Sequence, residues 1–576
     1  MNETDMRPQR ANVLAAVIAD SDRRSVLRTL TALQPFVRLI ITKFRDFQMN
    51  KRIVLALAPA VVAGGMFTAL PANAQQALGN FGGDLIVSSS TYTDTGFSAG
   101  TALPYNASGT LTGGSTLNTT AGSAFCANSN CSSNVWNNDT ADANFGITAG
   151  IYLQNINTST GNVDNTVNVT QLAANSGINL VTSFSSKSEL AINLSPDGSS
   201  LTFMGYNSTI GQFDVSNANT PGSLEPGNTD IQTATYRAVG QISLSNNALQ
   251  VTTTNAYNGN NGRAAIATAG GYYLVGNAGN GNGSAQTTLN TGVQFLSAAS
   301  TNGGLGTNTQ LGQYNITQNG YAADKTAKDN NFRGETIYNN TLYVSKGSGS
   351  NGIDTVYQVG NTGSLPTGSS NAISILPGFN TALAKTDTDT PHPFGLWFAN
   401  ASTLYVADEG SGASTDFGTS PTTQAGGLQK YSLVNGTWDL DYELKGSLIG
   451  RSYTVSGTGA LAGDSLTTTV DGLRNLTGQV NANGTVTLYA VTSTEGSVLG
   501  DAGADPNQIV SITDTLADTS ASQVTGENFN VLDTAALGQV YRGVAVAPVP
   551  LPAAVWLLLS GLGGLGAAAR RKRLSA

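Results

Sequence analysis

Apolar runs of three to seven residues, each bounded by Asn, Gly or Asp, recur through the middle of the chain, and they come in pairs. Phe332-Arg333-Gly334-Glu335-Thr336-Ile337 is followed by Asn339-Asn340 and then Leu342-Tyr343-Val344. Phe394-Gly395-Leu396-Trp397-Phe398 turns through Asn400 into Leu404-Tyr405-Val406, and Leu473-Arg474-Asn475-Leu476 turns through Asn483-Gly484 into Leu488-Tyr489-Ala490. Gly262 to Ile266 turns at Gly270-Gly271 into Tyr273-Leu274-Val275, and Leu190 to Leu194 turns at Pro196-Asp197-Gly198 into Leu201-Thr202-Phe203. A short β-prone run, a turn residue able to take positive φ and a second run predict a β-hairpin. No helical period of comparable strength competes with them.

The second strands begin near 201, 273, 342, 404 and 488, so the unit repeats every 60–85 residues. Two unmatched halves lie at opposite ends of this region. Tyr541-Arg542-Gly543-Val544-Ala545-Val546 reads as a first strand with no second, and Asp84-Leu85-Ile86-Val87 as a second with no first. Joined, they make a sixth unit, which also removes two open sheet edges. Outer hairpins such as Gly427–Leu433 with Thr437–Leu440 over Asn435-Gly436 bring each unit to four strands. The body, residues 75–548, therefore resembles a six-bladed β-propeller of the secreted kind, an all-β fold. Seven blades is the alternative, because Gly150-Ile151-Tyr152-Leu153 could open another; a β-solenoid or a pair of sandwiches is the remaining one. Gly96–Asn144 is low in complexity and is expected as an insertion in the first blade.

The ends of the chain carry a different pattern. Lys51-Arg52, the apolar stretch Ile53–Leu70 and the small-x-small site Ala72-Asn73-Ala74 read as a signal peptide over 49–74, which implies the Sec translocon and signal peptidase as partners. Met49 stands where a start is natural, so residues 1–48 read as a misassigned upstream extension. At the other end, Val549-Pro550-Leu551-Pro552-Ala553 precedes an uncharged stretch, 551–569, and the basic cluster Arg570-Arg571-Lys572-Arg573. At about 1.5 Å per residue such a stretch spans roughly 28 Å as a helix, near a bilayer's hydrocarbon thickness. The basic cluster is the cytoplasmic stop of the positive-inside rule. Motif, transmembrane helix and basic tail in this order closely resemble the PEP-CTERM sorting signal of Gram-negative bacteria, in its VPLPA form. That resemblance implies export, a transient anchor in the inner membrane, cleavage by an exosortase and delivery to the cell surface or to an exopolysaccharide or biofilm matrix.

Removing these segments changes the charge. Of 27 basic residues, eight precede Met49, two lie in the signal and four in the tail, leaving 13; of 36 acidic ones five precede Met49, leaving 31, so the body carries about −18. Such a surface excludes nucleic acid as a partner. Cys126 and Cys131, the chain's two cysteines, have four residues between them, and an oxidising destination favours a local disulfide.

Basic residues recur where the inner strands begin: Arg263, Arg333, Arg474 and Arg542, with His392 at the matching place in the fifth unit. Inner strands of a propeller line its channel, so these side chains predict a ring, which could hold an anion such as a uronate of an acidic polysaccharide. The other reading is that each arginine ties its blade to the next through backbone carbonyls or an acid such as Glu335. Asp408-Glu409, with Asp84, Glu335 and Asp471 near other strand ends, are the acids from which a calcium site could be built, as in propeller lactonases. They support a secreted, calcium-dependent hydrolase or lyase as the competing class. His392 is the single histidine and no Gly-x-Ser-x-Gly elbow occurs, so the inventory favours a binding or structural component of the matrix over an enzyme.

Overall fold

A computed structural model describes residues 76–95 and 146–549, apart from 185, 213–214, 223–233, 280–289, 326, 387–389, 413–424 and 496–502. The upstream extension, signal peptide, both cysteines, Pro550 and everything after it lie outside the described residues. Among those described, no helix is long and apolar enough to cross a membrane; the stretch 551–569 is not among them.

The paired runs form six antiparallel sheets arranged as the blades of a propeller. In order from the channel outward, blade 1 holds Gln539–Val546, Leu85–Thr91, Ile151–Ile156 and Val163–Asn168. Blade 2 begins with Asn193–Leu194, Ser200–Tyr206, Arg237–Ser243 and Leu249–Thr254; blade 3 with Gly262–Thr268, Gly271–Gly276, Gln294–Ser297 and Asn308–Gln310. Blade 4 holds Glu335–Tyr338, Thr341–Lys346, Thr355–Val359 and Ile373–Ile375; blade 5 holds Pro393–Asn400, Thr403–Asp408, Gly427–Val434 and Thr437–Leu444. Blade 6 holds Ser465–Val480, Thr485–Thr494, Gln508–Thr515 and Asn530–Thr534, with Ser452–Ser456 paired to the start of its long inner strand.

Blade 1 joins the two ends of the body, Leu85 opposite Val546 and Thr91 opposite Gln539. The seven-blade alternative is overturned by Ile151–Ile156, which pairs with Leu85–Thr91 as the third strand of blade 1. The expected first strand Leu190–Leu194 shortens to Asn193–Leu194, because Leu190 takes a φ of 59° and leaves the extended region. The turn at Asn339-Asn340 has both residues at positive φ, 45° and 57°, as a two-residue hairpin loop requires.

Neighbouring blades bury one apolar face each against the next. Leu342, Val344 and Phe332 of blade 4 pack on Tyr273 and Val275 of blade 3, and Leu488, Ile512 and Phe529 of blade 6 pack on Tyr405 and Tyr442 of blade 5. Nearer the channel the contacts are polar and run around the ring. Ser88 Oγ donates to Leu190 O, Thr202 Oγ1 to Ala265 O, Ser345 Oγ to Phe394 O and Asn475 Nδ2 to Arg542 O. Glycine lets these backbones meet: a Cβ on Gly334 would lie 2.1 Å from Phe394 O, and one on Gly543 would lie 2.5 Å from Ile192 N.

Candidate functional site at the polar mouth of the channel

All inner strands start at the same end of the channel, so the residues that open them share one mouth and those that close them share the other. The closing end is apolar. A hollow of about 240 Å³ there is lined from every blade, by Ile192, Ile266, Ile337, Trp397, Leu476 and Val544 among others. The opening end is polar. A cavity of about 380 Å³ is lined by Lys187, Ser348, Ser350, Asp354, His392, Glu409 and neighbouring glycines, which is within the range of small-ligand sites, roughly 300–1,000 Å³. A larger hollow of about 640 Å³ beside Pro548 and the turn at Gly198 has no ionisable side chain in its wall, so chemistry points to the polar mouth.

Glu409 is the hub of that mouth. It follows the second strand of blade 5, where its N–H donates to His392 O (2.9 Å) and its carbonyl accepts from Ser493 Oγ (2.5 Å). Its carboxylate takes Arg474 Nε at 3.1 Å and has Arg333 Nη2 at 4.0 Å. Burial acts to raise the Glu409 pKa, yet Arg333, Lys187 and Arg474 together outweigh it and hold the group at about 2. Lys187 is half-buried, and its ammonium is pushed down, first by burial and then by Arg474 and Arg333, against the pull of Glu409. Three cations thus face one carboxylate at a polar recess.

The expected ring divides into two roles. Arg333 and Arg474 converge on Glu409, and Arg333 also donates to Ser188 and Ser348. Arg263 ties blade 3 to blade 4, giving Nη1 to Phe332 O (2.7 Å) and to Asn331. Arg542 does the same between blades 1 and 2, through Phe184 O (2.5 Å), with a further bond to Gly503 O (2.6 Å). His392 lines the cavity, and its buried Nδ1 has no hydrogen-bond partner. Glu335 is not the partner of any arginine: it is buried with both carboxylate oxygens unpartnered, and burial raises its pKa well above the usual carboxylate range.

The acids do not fit calcium. Asp408 Oδ2 accepts from His392 N (3.0 Å) and Gln429 Nε2 (3.1 Å), and Oδ1 from Gly410 N (3.0 Å), while Glu409 faces guanidinium groups. A carboxylate whose lone pairs meet N–H donors has few left for a hard cation. Among the described residues no group of three or more His, Cys, Asp or Glu side chains is placed to hold a metal. Asp84 lies at the apolar end, where its carbonyl accepts from Ala547 N (2.8 Å). Sequence reasoning missed Lys187. The signal was present, since Ser186-Lys187-Ser188 stands ahead of the inner strand of blade 2 as Arg333 stands ahead of that of blade 4.

No family model matches the chain, and no curated protein matches it. Among solved structures it is similar to a chain of the S. cerevisiae complex of a Dbp5 variant bound to Nup159, a Gle1 variant, IP6 and ADP. The identity is 8%, the match covers 57% of this chain and 86% of that one, and the TM-score is 0.23. A likeness at that level carries no argument, and the fold rests on the strand pairing itself.

Proposed function

We propose that this chain is an exported propeller that works by binding, taking the carboxylate of a uronate unit of an exopolysaccharide at the polar mouth. The observation that carries this reading is the meeting of Lys187, Arg333 and Arg474 about Glu409, beside a cavity that Lys187, Glu409, His392 and Asp354 line together with small polar residues. A guanidinium pair and an ammonium recognise a carboxylate, and hydroxyls such as those of Ser348 and Ser350 suit a sugar ring. The calcium-dependent form of the competing hydrolase or lyase reading meets Asp408 and Glu409 with their oxygens turned to other partners.

The same proposal includes the address. Val549-Pro550-Leu551-Pro552-Ala553 is the sorting motif, 551–569 the transient membrane helix and Arg570–Arg573 the stop, with an exosortase releasing the body to the cell surface or matrix. The body's last strand ends at the apolar mouth, where Pro548 packs beside Gly198 and Val549 is 71% exposed. A tethered propeller therefore offers its polar mouth away from the bilayer.

Calorimetric titration of the purified full chain with oligouronates tests the binding. Lys187→Met is expected to weaken it about tenfold or more, the loss of one charge-assisted contact; equal affinity for neutral and acidic oligosaccharides would overturn the site. Exchanging Pro550 and Pro552 for Ala in the producing cell is expected to leave the protein in the membrane fraction at unprocessed mass. Unchanged release would remove the sorting part alone.

A further inference from the structure

Between blades 5 and 6, away from the channel, Lys430 and Asp514 meet with both side chains fully buried and Nζ 2.9 Å from Oδ2. The amine is held from other sides by Tyr442 Oη, Thr515 O and Asp518 O, each at 2.8 Å. Tyr442 Oη donates to Asp514 Oδ1 at 2.7 Å, and Tyr405 Oη donates to Oδ2. The rings of Tyr405 and Tyr442 face Nζ, their centroids 5.7 Å and 5.2 Å away. A second carboxyl stands beside the pair: Glu527, in the connection before the last strand of blade 6, has a buried Oε2 with no partner. Burial, and after it Asp514, pushes Glu527 up to about 7.

An amine, a carboxyl, a proton-holding acid beside them and exclusion of water are the requirements for condensation between side chains. We propose that Lys430 and Asp514 join in an amide bond that links blade 5 covalently to blade 6, with Glu527 carrying the proton. A proton passes from the Lys430 ammonium to the Asp514 carboxylate, Nζ adds to Cγ, and the new N–C bond places charge on the carboxyl oxygen that Tyr442 donates to. Glu527 takes a proton from the nitrogen and returns it to the departing hydroxyl. The C–O bond breaks and one water leaves. The ammonium and carboxylate of the starting pair contain the same atoms as the amide plus that water, so no oxidant or activated co-reactant is needed. The salt bridge, with Nζ 2.9 Å from Oδ2, holds the amine against the carboxyl group it would join.

A second buried pair, Lys346 with Asp354, gives the comparison. Asp354 lines the polar cavity, so this pair is expected to stay ionic.

Tryptic mapping of the denatured full-length protein by mass spectrometry decides the matter. Expected is a branched species that contains Lys430 and Asp514, lighter by one water than its two peptides, with no cleavage after Lys430 and ordinary cleavage after Lys346. Lys430→Arg should abolish the branch, and Glu527→Gln should slow its formation about a hundredfold or more, the usual effect of losing a proton carrier. Recovery of free Lys430 and Asp514 peptides from folded wild-type protein would overturn the proposal. That result is read on the wild type, so it holds even where a variant fails to fold.

Discussion

Glu335 is the residue whose environment contradicts its charge. Its carboxyl is buried and unpartnered, and its pKa is raised, so the folded state keeps a proton that the unfolded chain gives up. Its contribution to stability is intact below the ordinary Glu pKa and is lost as pH climbs towards the raised value. Glu335→Gln should match the wild type near pH 4 and be more stable at pH 8 by on the order of 2 kcal/mol, measured by urea unfolding at both pH values. A difference that does not grow with pH would place the carboxyl in contact with a partner. Glu409 behaves in the opposite sense. With its pKa held at about 2, its contribution is present above the ordinary Glu pKa and lost as pH falls through about 2. Glu409→Gln should accordingly cost stability at pH 7 and little at pH 2, since it strands Arg333 and Arg474 without a counter-charge.

At the scale of strands, the close meeting of inner backbones is the feature most open to test. Gly334→Ala would set a methyl 2.1 Å from Phe394 O in a place where neither blade can yield. The expected cost is about 2 kcal/mol or more, seen as a lowered urea midpoint with an unchanged slope. The hairpins were legible in the sequence because each apolar run is bounded by Asn or Gly, and Asn339-Asn340 and Asn435-Gly436 do take the positive φ that such turns require. The inner strand of blade 2 was less so: Leu190–Leu194 reads as a strand by composition, and only the fold shows Leu190 at φ 59°. The roles of the arginines were not legible at all. Arg263 and Arg333 share a local pattern, yet one spends its donors on a carbonyl of the next blade and the other reaches Ser188 and Glu409, a difference set by loops far away in sequence. The pairing of Lys430 with Asp514 is hidden for the same reason, since nothing local to either residue names the other.

In the whole molecule, six blades depend on one strand from each end of the body meeting in blade 1. Removing residues 539–549 would leave Leu85–Thr91 with a bare edge and the channel wall with a gap. Such a chain should lose its cooperative thermal transition and scatter light at concentrations where the intact protein stays monodisperse. The order in which the polypeptide is made gives this closure a further meaning. Leu85–Thr91 emerges early and waits for Gln539–Val546, which emerges last, so every earlier blade must persist as an open arc while its final partner is still being synthesised. The waiting edge stays open until Gln539–Val546 arrives, a few residues before Val549, so the ring closes only once the whole body has been made.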